Sequence, residues 1–259
     1  MRAAVIIPSR YASTRFEGKP LAFIAGVPMI RHVWERSKQA SLPQAVIVAT
    51  DDERIYNVVR GFGGEAIMTG THHKSGTDRI FEAMSAPQYE KYDIIVNVQG
   101  DEPLIRPDMI DSVIELLSDS RAGVGTLKSR IATHEEILNP NVVKVVTDAD
   151  GFAMYFSRAP IPYHRALTTV SSDCKIIFRG GIQEMRYYKH IGIYSYRREV
   201  LTRMASLNES PLERAESLEQ LRAMESGIII KVGETTNETI GVDCPADIEK
   251  VEKWLNTYS

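Results

Sequence analysis

Residues 6–21 read Ile6-Ile7-Pro8-Ser9-Arg10-Tyr11-Ala12-Ser13-Thr14-Arg15-Phe16-Glu17-Gly18-Lys19-Pro20-Leu21, an apolar strand that breaks into a loop carrying Arg10, Arg15 and Lys19. Ligands of open α/β sheets bind beyond the carboxyl ends of the strands. Clustered guanidinium and ammonium groups match phosphate oxygens there. Ser9, Ser13, Thr14 and Gly18 add hydroxyls, backbone donors and a point of close backbone approach, as a phosphate cradle requires. Ser13 stands where a Walker A loop has its first Gly, and Pro20 follows Lys19 in place of Ser or Thr. No Gly-x-Gly-x-x-Gly follows the strand, which excludes a Rossmann fingerprint. Any one of these cations could be a solvated surface charge. Together they point to a nucleoside triphosphate.

Outward from this stretch, Ala4 to Ile7, Ala45 to Ala49, Ile94 to Val98 and Val124 to Leu127 are short Val- and Ile-rich runs, the pattern of strands covered on both faces. Between them, Met29, Ile30, Val33 and Trp34 follow Pro28 at helical spacing, and Ile55, Val58, Val59 and Phe62 follow the capping candidates Asp51 and Asp52. Met109, Ile110, Val113, Ile114 and Leu117 repeat the pattern after Pro107. Alternating strands and helices predict an α/β fold, a mostly parallel mixed sheet with helices on both faces. Near Asn141 the rhythm changes. Val142 to Val146 and Ala153 to Phe156 flank Asp148-Ala-Asp-Gly151, a hairpin signal that brings in antiparallel strands. The weakly periodic segment from Ala166 to Arg186 reads as a mobile excursion able to close over a ligand. His190 to Tyr196 and Ile228 to Val232 read as strands, Leu212 to Met224 and Ala246 to Trp254 as helices. The expected organisation is a single domain over 1–259, with a subordinate dimerisation and sugar-binding lobe around 141–200.

With 259 residues the chain can bury one substantial core, and no apolar run approaches the ~20 residues of a membrane span. The apolar stretch from Ala3 to Ile7 is shorter than a signal-peptide core, so a cytoplasmic location is expected. A net charge of −3 argues against a nucleic-acid partner, and any anion is met locally by the N-terminal loop. Cys174 and Cys244 lie far apart without zinc-ligand spacing, so both read as bystanders. The adjacent His72 and His73 read as loop histidines, because neighbouring side chains diverge on a strand and no nearby carboxylate completes a metal site.

Asp101 follows Gly100 at the end of the Ile94 to Val98 strand. It can be a Mg²⁺ ligand against triphosphate oxygens, or the Asx residue of a turn closed by Pro103. Asp243, between an apolar stretch and a helix, can likewise be a second metal ligand or an N-cap.

Several ordered motifs carry a resemblance: Pro8-Ser-Arg-Tyr-Ala-Ser-Thr-Arg15, Gly18-Lys-Pro-Leu21, Ser75-Gly-Thr-Asp-Arg79, Val96-Asn-Val-Gln-Gly-Asp-Glu-Pro103, Asn139-Pro-Asn-Val-Val-Lys144, Tyr155-Phe-Ser-Arg158, His190-Ile-Gly-Ile-Tyr194, Pro211-Leu-Glu213, Leu218-Glu-Gln-Leu-Arg222 and Gly241-Val-Asp243. From end to end the chain resembles the 3-deoxy-manno-octulosonate (KDO) cytidylyltransferases. The resemblance implies a glycosyltransferase-A-like nucleotide-binding fold, Mg²⁺ dependence, a homodimer, and formation of CMP-KDO and pyrophosphate from CTP and KDO for lipopolysaccharide biosynthesis. It places Pro8, Ser9, Arg10, Arg15, Lys19, Ser75, Gly76, Arg79 and Gln99 around the nucleotide. It gives Asp101 and Asp243 to the metal, and Gln99, Arg158, His190, Tyr194, Glu219 and Gln220 to the sugar acid. Lys19, Arg15, Asp101 and Asp243 are then the catalytic set. Arg158 is expected to pair with the sugar carboxylate. His190 and Glu219, read from the residues alone, would be a hydrogen-bonded core histidine and a helix-surface acid. Two departures stand out: Glu17 replaces the Pro usual before Gly-Lys-Pro-Leu, and 166–186 matches poorly. A sialic acid or amino-modified KDO cytidylyltransferase is the nearest rival; a glycosyltransferase, for which Asp101-Glu102 departs from Asp-x-Asp, and a nucleotide-sensing domain are more distant ones.

Overall fold

The structure, a computed structural model, describes residues 1–12, 16–73, 75–171, 176–182, 184–237 and 239–258. Its strands are β1 (Ala3–Ser9), β2 (Phe23–Ile24), β3 (Val27–Pro28), β4 (Pro43–Thr50), β5 (Glu65–Met68), β6 (Ile94–Asn97), β7 (Val124–Arg130), β8 (Lys144–Thr147), β9 (Ala153–Ser157), β10 (Thr168–Val170), β11 (Ile176–Phe178), β12 (Tyr188–Arg197) and β13 (Ile230–Glu234). The helices are α1 (Met29–Lys38), α2 (Glu53–Gly61), α3 (Gly76–Met84), α4 (Pro107–Leu116), α5 (His134–Leu138), α6 (Arg198–Ala205), α7 (Pro211–Glu216), α8 (Gln220–Glu225) and α9 (Pro245–Tyr258).

The main sheet runs β13-β7-β12-β6-β1-β4-β5. Neighbours are parallel except where β12 runs against both β6 and β7, and β8 and β9 extend the sheet antiparallel from β12. This is the expected mostly parallel mixed sheet. Period-two alternation along β1 explains its position between two helical layers. Ala3, Val5 and Ile7 pack with Ile30 and Val33 of α1, Ile55 and Val59 of α2, and Met109 and Val113 of α4. Ala4 and Ile6 face the opposite way, toward Ile80 and Met84 of α3, Leu201 of α6 and Leu221 of α8. Burial of each such Val or Ile contributes about 1.5–3 kcal/mol. Both faces of β1 are therefore closed to solvent, which leaves its carboxyl end as the open side.

Two expectations are corrected. Among the described residues of the segment from Ala166 to Arg186, expected to lie outside any core, β10 and β11 pair as a two-stranded antiparallel sheet, and Met185 is buried with Ile131, Ile137 and Tyr187 in a separate small core. Three-residue strands are too short to show a period, which is why the pattern was illegible. The single helix expected from Leu212 to Met224 is two, α7 and α8, because Ser217 adopts a left-handed backbone (φ 51°). That break turns Glu219 and Gln220 toward the carboxyl edge of the sheet, among the residues described next.

Candidate active site

Three segments meet at the open edge. The end of β1 supplies Pro8, Ser9 and Arg10, the end of β6 supplies Gln99, Gly100 and Asp101, and the start of α3 supplies Ser75 and Gly76. With Ala12, Glu17, Lys19, His73, Arg79 and Asp243 they line a cavity of about 550 Å³. Glycine is required at two places. A Cβ on Gly100 would stand 2.7 Å from the Ser9 hydroxyl oxygen and 3.0 Å from the Pro8 carbonyl oxygen, so the first demand on Gly100 is the approach of β6 to β1. Gly18 has φ 68° and donates its N–H to the Tyr11 carbonyl (2.9 Å), closing the loop that presents Lys19.

The basic and acidic groups converge on Lys19. Its ammonium donates to Asp101 Oδ2 at 2.6 Å and lies 3.8 Å from Asp243 Oδ1. Asp243 stands two residues before α9, and its backbone N–H and that of Cys244 donate to Asp247 Oδ2 in the first turn of the helix. Glu102, adjacent to Asp101, is partly buried and hydrogen-bonded to Thr239. Burial, and then the charge of Asp101, push its pKa up to about 7. Glu102 Oε2 and the hydroxyl of Ser9 are buried without a hydrogen-bond partner, which is unusual for polar atoms in a folded interior. Oxygen donors from neighbouring carboxylates suit a hard divalent cation such as Mg²⁺. Ser75 caps α3 through a box with Asp78, its hydroxyl accepting from the Asp78 N–H at 3.1 Å. Arg79 reaches the cavity wall, but its guanidinium is committed to Asp51 (2.7 Å) and Thr69 (2.5 Å). Arg15 lies outside the described residues, as does Cys174.

A second cavity, about 340 Å³, shares Arg10, Ser75, Gly76 and Gln99 with the first. Asn97, Thr77, Tyr194, Tyr196, Glu219 and Gln220 form much of its wall. Tyr196 is hydrogen-bonded to Thr77 and Asn97, Thr77 to Glu219, and Gln99 Nε2 donates to Asn97 Oδ1 at 3.3 Å. Burial raises the pKa of Glu219 and of both tyrosines.

Two residues expected in the sugar pocket stand elsewhere. Arg158 donates to the carbonyls of Glu216 (2.6 Å), Pro140 (2.9 Å) and Ser217 (3.3 Å), so its guanidinium fastens the turn ahead of Glu219 and Gln220. His190 is packed against Phe156 and Tyr194 and bonded to the Thr126 hydroxyl at 2.9 Å. Burial lowers its pKa to about 3, so the ring is neutral and supports Tyr194 from behind. A third expectation also changes: His72 and His73 do have a carboxylate beside them, Glu82. Sequence reasoning gave no role to Asn97, Tyr196 or Glu102, and took Thr77 only within Ser75 to Arg79 around the nucleotide. Asn97 carried a signal, as the polar end of the otherwise apolar β6.

A family model described as Cytidylyltransferase matches residues 4–237. The chain is 54% identical over 252 residues to the 3-deoxy-manno-octulosonate cytidylyltransferase of Geotalea uraniireducens (97% of this chain, 98% of the relative). It is 49% identical over 259 residues to that of Thermodesulfovibrio yellowstonii, covering 98% of each. A solved structure of CMP:2-keto-3-deoxy-manno-octonic acid synthetase complexed with CTP superposes with a TM-score of 0.89 at 44% identity over 100% of both chains. A 4-diphosphocytidyl-2C-methyl-D-erythritol synthase from Anaerococcus prevotii shares the fold, with a TM-score of 0.61 at 12% identity and 98% coverage of each chain. This chain belongs to the 3-deoxy-manno-octulosonate cytidylyltransferase family, and it is a nucleotidyltransferase.

Proposed function

We propose that the chain joins CTP to KDO, forming CMP-KDO for lipopolysaccharide assembly and releasing pyrophosphate, with Mg²⁺ held by Asp101 and Asp243. The observation that carries the reading is the convergence of both aspartates on Lys19 in a cavity that shares a wall with a second, differently lined one. The larger cavity suits the triphosphate and the smaller one the sugar acid. Gln99 and Arg10, common to both, stand where the anomeric hydroxyl would meet the α-phosphorus. Such a substitution needs alignment and charge neutralisation more than a covalent side chain.

Mg²⁺, when bound, supplies Lewis-acid neutralisation of the phosphate oxygens and activates the attacking hydroxyl. Lys19 releases its contacts with the aspartates to neutralise the departing pyrophosphate, a role Arg15 is proposed to share. Ser9, with its unpartnered hydroxyl, and the capped start of α3 offer hydrogen bonds to phosphate oxygens. Arg10 is the cation of the described residues placed to meet the KDO carboxylate, in place of Arg158. Tyr194, Glu219 and Gln220 present polar atoms to the sugar hydroxyls.

A homodimer is proposed through the 141–200 region, where Met154, Val170 and Ile177 are exposed apolar side chains. The use of CTP suits a cytoplasmic enzyme. The test is pyrophosphate release from CTP and a panel of KDO, its amino-modified form and sialic acid. Turnover confined to sialic acid, or absent with every 2-keto sugar acid, would overturn the reading.

A further inference from the structure

At the edge of the nucleotide cavity proposed above lies a group to which the transfer reaction as described gives no role. His72, His73 and Glu82 place one donor atom each within 4.8 Å of one another. The two histidines are neighbours in the chain, and on a strand their rings would diverge. Here they sit in the turn that follows β5, and their ring centroids are 4.3 Å apart. His73 Nε2 is in direct contact with Glu82 Oε2.

The surroundings hold this arrangement in place. Both carboxylate oxygens of Glu82 accept from the Gly70 N–H, at 3.1 and 3.0 Å. Arg79, three residues earlier on α3, is bonded to Thr69 and to the Gly70 carbonyl. Gly70 also leaves the space that the His72 ring fills, since a Cβ there would lie 2.5 Å from the ring. Turn and helix are thus pinned on both sides of the three donors.

We propose that His72, His73 and Glu82 form a binding site for a borderline transition-metal ion of the Zn²⁺ type. Two imidazole nitrogens and a carboxylate oxygen suit Zn²⁺ and its neighbours, whereas Mg²⁺ prefers oxygen alone. Tetrahedral ligation at ~2.1 Å spaces donor atoms about 3.4 Å apart. To reach that spacing His73 Nε2 and Glu82 Oε2, now in direct contact, would part around the ion while the exposed His72 ring turns to meet it, and water completes the shell. The site differs in chemistry from Asp101 and Asp243 and takes its metal independently of them. Because His73 lines the nucleotide cavity and Ser75 opens α3, a metal here clamps the turn that shapes one wall of that cavity.

The experiment uses the full chain, stripped with a chelator and held in millimolar Mg²⁺. Co²⁺ is titrated and followed by its visible d–d absorption, and Zn²⁺ by calorimetry. One equivalent of Co²⁺ with a tetrahedral spectrum is expected, displaced by Zn²⁺ and not by Mg²⁺. His72→Ala and Glu82→Gln should each weaken binding ~100-fold, while Asp101→Asn leaves it unchanged. His72 is exposed, so His72→Ala should keep the wild-type Tm and basal turnover. Absence of Co²⁺ binding below 100-fold excess over protein would overturn the proposal. So would binding that survives both His72→Ala and Glu82→Gln, or binding lost with Asp101→Asn.

Discussion

The two cavities share a wall and are built in opposite ways. Around Lys19, Asp101 and Asp243, charged groups stand on loops at the sheet edge, with two buried polar atoms close by left unpartnered. Around Tyr194 and Tyr196 the polar atoms already bond to one another, on β12, β6, α3 and the start of α8, and aromatic rings back them. The first is an electrostatic cradle that a ligand completes; the second is a preformed mould. Groups of the first kind should therefore act on turnover with little effect on folding. Groups of the second kind should act on sugar binding and on stability together.

The largest effect should come from Asp101→Asn, which keeps shape and removes charge. Turnover should fall about 1,000-fold with Tm nearly unchanged, as measured by pyrophosphate release and thermal melting. A Tm loss of many degrees would erase the contrast between the cavities. Lys19→Met should cost about 100-fold in turnover and leave the KM for KDO close to normal. In the mould, Tyr196→Phe removes a buried hydroxyl that serves Thr77 and Asn97. Its KM for KDO should rise ~10-fold while Tm falls by about 3–6 °C, since unpairing buried partners costs about 1–3 kcal/mol. An equal rise in the KM for CTP would place Tyr196 in the cradle instead.

The smallest effect sharpens the contrast through pH. Burial raises the folded-state pKa of Glu219 above its unfolded value, so the charged form opposes folding. That cost is absent at acid pH, where both states are protonated, and develops as pH rises through the unfolded and then the folded pKa. Glu219→Gln should accordingly raise Tm by ~2 °C at pH 8, and the gain should vanish near pH 3. The same variant should bind KDO less well, a trade of function for stability.

Which parts were legible in the sequence follows from these differences. Long strands with unbroken Val and Ile runs and helices with a clear apolar stripe announced the sheet and its two layers. The cradle was legible because its chemistry is concentrated in contiguous stretches, 8–21 and 99–101. Of the mould, Gln99, Tyr194, Glu219 and Gln220 came only through the family resemblance, and Thr77, Asn97 and Tyr196 were not assigned to it, since these residues come from distant elements that only the sheet order brings together. Arg158 reads alone as a surface ion pair and becomes a carboxylate ligand only through the resemblance; in the structure the carbonyls of Glu216, Ser217 and Pro140 accept from its guanidinium, contacts between distant segments that no local pattern announces. His72 and His73 read as unrelated because the Glu that joins them lies a full helix later, at position 82.

The central claim is that Asp101 and Asp243 jointly hold a divalent cation where CTP binds. It is tested most directly by titrating Mn²⁺ into the wild type, Asp101→Asn and Asp243→Asn with CTP present, and reading protein-bound Mn²⁺ by electron paramagnetic resonance. Each substitution is expected to abolish or strongly weaken an enzyme-bound Mn²⁺ signal that the wild type displays. Wild-type stoichiometry and affinity retained in both variants would contradict the claim.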